Sequence, residues 1–101
     1  MSVATSPTYY VYVMASQRNG TFYVGVTNNI VLRSTNHRSG KGSIFTKNNG
    51  VHRLVYYVPY ADVREAIARE KQLKKWNRAW KIELIGKDNP EWRDLWFEFN
   101  R

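Results

Sequence analysis

Tyr12, Tyr23, Arg33 and Glu70 are the residues of this chain whose types and spacing could together do chemistry. Tyr23 follows Tyr12 by eleven residues, and Arg33 follows Tyr23 by ten. Tyrosine hydroxyls can position a water, and a guanidinium, which keeps its proton, can clamp a phosphate and stabilise the charge that develops on it under attack. A free tyrosine titrates near ~10, so as a general base it needs a neighbouring cation or metal to favour the phenolate. His37 stands four residues after Arg33, on the same helical face, where it can carry a proton or touch a phosphate. Each residue also has an ordinary reading. Seven tyrosines make chance pairs easy, and Arg33 with His37 fits a solvated basic face.

Glu70 is singled out by helix register. At about 100° per residue, with Val63 at 0°, Ala66 falls at about 300°, Ile67 at about 40°, Glu70 at about 340° and Leu73 at about 280°. A carboxylate then stands in the stripe expected to face the core. Burying it is costly unless a cation or hydrogen bonds compensate. One reading is a salt bridge to Arg33 or another basic residue. The other is a ligand for a hard divalent cation, since Mg²⁺ is commonly held by one carboxylate, waters and substrate phosphate.

The elements that must position these groups can be read from pattern. Residues 9–15 are β-branched and aromatic and read as a strand, with Asn19-Gly20 as turn chemistry and residues 21–26 as the returning strand. Gly25 would weaken that strand unless something approaches it closely or the strand bends. Thr27-Asn28-Asn29 offers N-caps for a helix over 30–38. Residues 39–51 are polar and Gly-rich and read as a mobile loop, and 52–58 as a third strand stopped by Pro59. Asp62 and Glu65 form a capping-box pattern for a helix to about Trp76. A second helical stretch covers 79–85, ending at Gly86, and Asn89-Pro90 opens a last helix over 90–97. The expected fold class is α+β: a three-stranded, mainly antiparallel sheet with packed helices. The expected organisation is a disordered tail over 1–8, one domain over 9–97 and a C-terminal tail over 98–101.

Composition bounds the function. The chain has 101 residues, 43% of them apolar and 15% aromatic, enough for one packed domain. It has no cysteine, which excludes disulfides, thiolate metal sites and a thiol nucleophile. No signal peptide and no membrane span is visible, so a cytoplasmic protein is expected. Lys and Arg number 16 against 8 Asp and Glu, a net charge of +8 that raises the expectation of a polyanionic partner, most often nucleic acid. Residues 69–81 interleave cations with Trp76 and Trp80, and Lys71, Lys74, Lys75, Arg78 and Lys81 could follow a phosphate backbone. The two tryptophans are more simply read as packing the helical layer on the sheet. Lys47 and Arg53 are further candidate nucleic-acid contacts.

With these residues in place, the chain resembles the GIY-YIG nuclease domain, and most of all the small stand-alone bacterial members of that family. Tyr10-Val11-Tyr12 stands where the family has Gly-Ile-Tyr, and Tyr23-Val24-Gly25 where it has Tyr-Ile-Gly. Arg33 matches the family arginine and Glu70 its metal-binding glutamate. Phe45-Thr46-Lys47, Ala66 to Lys71, Lys74-Lys75-Trp76 and Asn89-Pro90-Glu91-Trp92 resemble the stand-alone subgroup. The resemblance implies a phosphodiesterase using one Mg²⁺ or Mn²⁺. Tyr23 would be the general base, Tyr12 would hold the water or a phosphate oxygen, Arg33 would stabilise charge and Glu70 would hold the metal. His37 matches a position that is histidine in some members. Tyr10 departs from the first-box glycine. Val26 stands where some repair members have a lysine that favours the base, which shifts that task to the metal or to a residue such as Lys47. Asn77 and Asn89 both fit a late family asparagine. The expected function is a metal-dependent DNA endonuclease of low sequence specificity, in repair or recombination, as a monomer or weak dimer. The alternative is a nucleic-acid-binding module with weak or no catalysis. A role in protein interaction through Trp92, Trp96 and Phe97 ranks third.

Overall fold

The computed structural model describes residues 8–42 and 44–99. The expected N-terminal tail therefore lies almost entirely outside the described residues. Strand β1 (Tyr9–Ala15) pairs antiparallel with β2 (Phe22–Thr27) on one side and β3 (Arg53–Tyr60) on the other, giving the order β2-β1-β3. The β1–β2 turn uses the expected chemistry: Asn19 takes φ 55°, and Ser16 closes the loop by accepting from the Thr21 amide at 2.9 Å. β3 runs through Pro59 instead of stopping there. It is an edge strand, the place in a sheet where a proline is tolerated.

The sheet is covered on both faces. Val11, Val13 and Ala15 point to one face, where helix α3 (Val63–Lys75) buries Ala66 and Leu73 and helix α4 (Arg78–Asp88) buries Ile85. Tyr12 and Met14 point to the other, against Ile30 of helix α1 (Ile30–Arg38) and the 3-10 turn at Leu95–Glu98. A bulge in β3 departs from simple alternation. Val13 pairs with Tyr56 and Met14 with Leu54, so Val55 is the extra residue. The extra residue lets Leu54 and Tyr57, an odd number of positions apart, share the α1 face.

Beyond β3, three expected elements differ. Residues 44–48, expected in a mobile loop, form helix α2 (Ile44–Asn48), fixed because Thr46 is 1% exposed and its carbonyl accepts from the Val51 amide at 2.9 Å. Gly86 lies inside α4, which runs on to a cap at Asn89. The last helix shrinks to the 3-10 turn because Trp92 takes φ 54° and is buried against Phe22, with ring centroids 5.6 Å apart. Glu98 and Phe99, expected in the tail, belong to the fold: Tyr57 donates to Glu98 Oε1 at 3.4 Å and packs on Phe99.

Candidate active site

Three elements converge at one place on the α1 face. β1 brings Tyr12 and β2 brings Tyr23, their rings 6.2 Å apart, and α1 brings Arg33 and His37. α1 starts where the sequence requires it to, with Asn29 Oδ1 accepting from the Leu32 amide at 3.0 Å. The Tyr12 oxygen accepts from Arg33 Nη1 at 3.4 Å and lies 3.2 Å from His37 Nε2. On its other side His37 Nδ1 lies 3.1 Å from Thr46 Oγ1. The Tyr23 ring packs on His37 at 5.3 Å and on Phe45 at 6.4 Å.

Burial divides the cluster into two layers. Tyr12 is fully buried and His37 is 2% exposed, whereas Tyr23 is half-buried and Arg33 exposed. Burial pushes the Tyr12 hydroxyl up to about 12 against the opposing pull of Arg33, so it stays protonated. Burial, then the charges of Arg33 and His52, push His37 below its ordinary value, so its imidazole is neutral near pH 7. The direct phosphate contacts expected of Tyr12 and His37 are closed to them in this arrangement. Arg33 and Tyr23 are the members that meet solvent.

Gly25 resolves as expected. It is the cross-strand partner of Tyr12, and a Cβ there would stand 2.5 Å from the Tyr12 hydroxyl oxygen. Gly42 serves the second layer in the same way, since a Cβ would fall 2.2 Å from His37 Nδ1.

Glu70 lies apart from the cluster, on the helix of the opposite sheet face, with Lys74 Nζ 3.3 Å from its carboxylate. The expected register needs correction. Ala66 and Leu73 are fully buried, but Val63 and Ile67 are each 37% exposed. The core side of α3 is therefore centred near about 290° on the scale used above, and Val63, Ile67 and Lys74, at about 0–40°, flank it. Val63 and Ile67 turn toward the free edge of β2. There a groove of about 240 Å³ is lined by Arg33, Val26, Thr27, Val63 and Ile67. Glu70 stands one helical turn beyond Ile67, its side chain 15% exposed, at the border between core and groove.

A sequence model of the GIY-YIG catalytic domain matches residues 8–83, a span that holds both tyrosine boxes, Arg33, His37 and Glu70. The chain belongs to the GIY-YIG family. This GIY-YIG domain is 37% identical over 76 residues to a UPF0213 protein of Clostridium perfringens, covering 75% of the chain and 81% of the relative. It is 40% identical over 83 residues to a UPF0213 protein of Syntrophus aciditrophicus, covering 81% and 93%. It is also similar to the solution NMR structure of a UPF0213 protein from Bacillus halodurans, with 29% identity, a TM-score of 0.55 and coverage of 86% and 92%. The nuclease-type α+β fold and the small stand-alone branch of the family agree with the expectation from the sequence.

The basic residues of the GIY-YIG domain divide by what they touch. Lys47, Lys71 and Lys75 are exposed, and Lys81 is half-buried. Three others have structural partners. Arg78 donates to the Asn19 carbonyl and, at 2.6 Å, to the Gly20 carbonyl, with its guanidinium over Phe22; it anchors the β1–β2 turn. Arg53 donates to the Trp92 carbonyl at 3.1 Å, and Lys74 pairs with Glu70. Both late asparagines are capping residues. Asn77 accepts from the Trp80 amide, and buried Asn89 donates to the carbonyls of Val55 and Arg93 while accepting from the Arg93 amide. Trp76 packs on the core as expected, but Trp80 is 54% exposed. Trp92 is buried, and Trp96 donates to Thr35 at 2.9 Å. That leaves Phe97, 53% exposed beneath the Arg38 guanidinium, of the three aromatics considered for protein interaction. No helix of the described residues is long and apolar enough to cross a membrane.

Sequence reasoning missed Thr46, Gly42 and Phe45 as parts of the site. Phe45-Thr46-Lys47 stood out only as text resembling the subgroup. The His37–Thr46 contact could not be read from a segment that looked like a loop.

Proposed function

We propose that this chain is a metal-dependent endonuclease hydrolysing phosphodiester bonds in DNA with low sequence specificity. The observation that carries the reading is the layered cluster beside the β2 edge, with Arg33 and Tyr23 outward and Tyr12 and His37 locked beneath them. Arg33 binds a phosphate oxygen and stabilises the charge that develops as water attacks phosphorus. The half-buried Tyr23, acting as its phenolate with the charge of the metal nearby, takes the proton of the attacking water and becomes the neutral phenol as the bond to the 3′ oxygen breaks. Tyr12 and His37 are positioning residues. The Tyr12 oxygen fixes the Arg33 guanidinium, and His37 supports both tyrosines from below.

Glu70 fits a hard divalent cation. Its side chain is a partly exposed carboxylate at the groove border, and Lys74 would release or share it on binding. Among the described residues no group of three or more His, Cys, Asp or Glu converges. An ion there would keep most of its water, as Mg²⁺ commonly does. When bound, Mg²⁺ or Mn²⁺ would neutralise the phosphate and assist departure of the 3′ oxygen.

The test is nicking of supercoiled plasmid with Mg²⁺ or Mn²⁺. The expected result is cleavage that disappears in Arg33→Ala and Glu70→Ala. Salt-sensitive DNA binding with no cleavage under either metal would replace this reading with that of a binding module.

A further inference from the structure

His37, Tyr23 and Phe45 form a row of rings that begins in the core and ends at the surface, with successive centroids 5.3 and 6.4 Å apart. The outer member, Phe45, is 47% exposed, and Ile44 beside it is 78% exposed. Both stand on α2, which the burial of Thr46 and its contact with His37 hold in place. Single exposed apolar side chains need no explanation. Here, however, two neighbours share one pinned helical turn, and one of them packs on the tyrosine assigned above to the attacking water. Two exposed cations belong to the same surroundings: Lys47 on the same helix, and Arg33 on α1, one helical turn before the His37 that begins the row.

We propose that Phe45, with Ile44 at its side, is a stacking platform for an unpaired base of a DNA strand, next to the phosphate being cut. The proposal rests on the endonuclease reading and names its substrate class: DNA with an unpaired base at the cut, as in a flap, a gap or a single strand. An aromatic face beside cations matches a nucleotide, which carries a π face and a phosphate together. The net charge of +8 favours that occupant over a protein side chain. In a paired duplex the base faces are covered by their neighbours, so the platform selects an unstacked base. Stacking accepts every base, in keeping with low sequence specificity.

The experiment measures binding of the full chain in EDTA, where no cleavage occurs. The probes are a DNA flap oligonucleotide with a base at its junction, the same flap with an abasic junction, and a fully paired duplex. Wild type is expected to bind the base-containing flap roughly tenfold more tightly than the abasic one. Phe45→Ala should lose that ratio, Phe45→Tyr should keep it, and the affinity of all three proteins for the duplex should agree within about twofold. Circular dichroism melting checks that each variant is folded, and Ile44→Ser, at the most exposed position, gives a second probe that should lower the ratio. A ratio unchanged in folded Phe45→Ala overturns the platform while leaving the endonuclease reading intact. Absence of salt-dependent binding to any of the three DNAs overturns both.

Discussion

The Tyr12 ring lies against the backbone of Gly25 across the β1–β2 ladder, so closely that a Cβ at Gly25 would stand 2.5 Å from the hydroxyl oxygen and 2.6 Å from Cζ. Tyr12 is fully buried, and protein interiors are close-packed. Gly25→Ala must therefore move the ring, and with it the acceptor of Arg33 and the partner of His37. The expected cost is about 1–3 kcal/mol of stability, read as a lowered melting temperature. Plasmid nicking should fall further than the stability loss explains when assayed well below that temperature. Unchanged nicking in a folded Gly25→Ala protein would show that the position of Tyr12 is not critical.

Tyr12→Phe isolates the hydroxyl without disturbing the ring. It leaves His37 Nε2 short of a buried partner and frees the Arg33 guanidinium. The expected loss is about 1–3 kcal/mol in stability and about 100-fold in cleavage rate. Since burial holds this hydroxyl protonated up to about 12, it is not the base. The shape of the cleavage rate against pH should therefore survive in Tyr12→Phe, while its height drops. Loss of the alkaline limb in this variant would instead make Tyr12 the titrating base.

His37 sets a pH dependence whose sign is fixed. Its folded pKa lies below the unfolded value near ~6.5, because burial and the charges of Arg33 and His52 oppose its protonation. Below that value the unfolded chain binds a proton that the folded chain refuses, so stability falls as pH drops from ~6.5 toward the lower folded pKa. Melting curves from pH 7.5 to 5 should show this loss in wild type and a smaller one in His37→Gln. Thr46→Val, which removes the Nδ1 partner, should lower cleavage and move its acid limb, and Thr46→Ser should restore both. An acid limb that stays put in Thr46→Val would reduce Thr46 to a packing residue.

What the sequence carried and what it withheld separate by range. The β1–β2 hairpin, the Asn29 cap and the shared face of Arg33 and His37 are local, and each formed where pattern placed it. The demand for a close approach at Gly25 was legible because glycine in a strand needs a reason, and the Tyr12 hydroxyl is that reason. Helix α2 was not legible. Its five residues include β-branched Ile44 and Thr46, and what stabilises it is a tertiary contact to His37. The stripe on α3 was misread because hydrophobicity alone cannot distinguish core from groove: Val63 and Ile67 are apolar but line the groove with Arg33. Asn89 looked like an N-cap because it precedes proline, yet its bonds to Val55 and Arg93 tie the chain end to β3.

The basic residues of 69–81 make the final prediction, because the structure separates cations that face solvent from cations with partners. Lys71 and Lys75 are exposed on α3, whereas Arg78 holds the Asn19 and Gly20 carbonyls and stacks on Phe22. If Lys71 and Lys75 contact phosphates, each change to alanine should weaken DNA binding alike across sequences. Each should also reduce the slope of log affinity against log salt by roughly 1. Arg78→Ala should leave that slope unchanged and instead lower the melting temperature, since it removes the anchor of the β1–β2 turn rather than a phosphate contact. A slope that drops in Arg78→Ala at unchanged stability would return Arg78 to the DNA-binding surface.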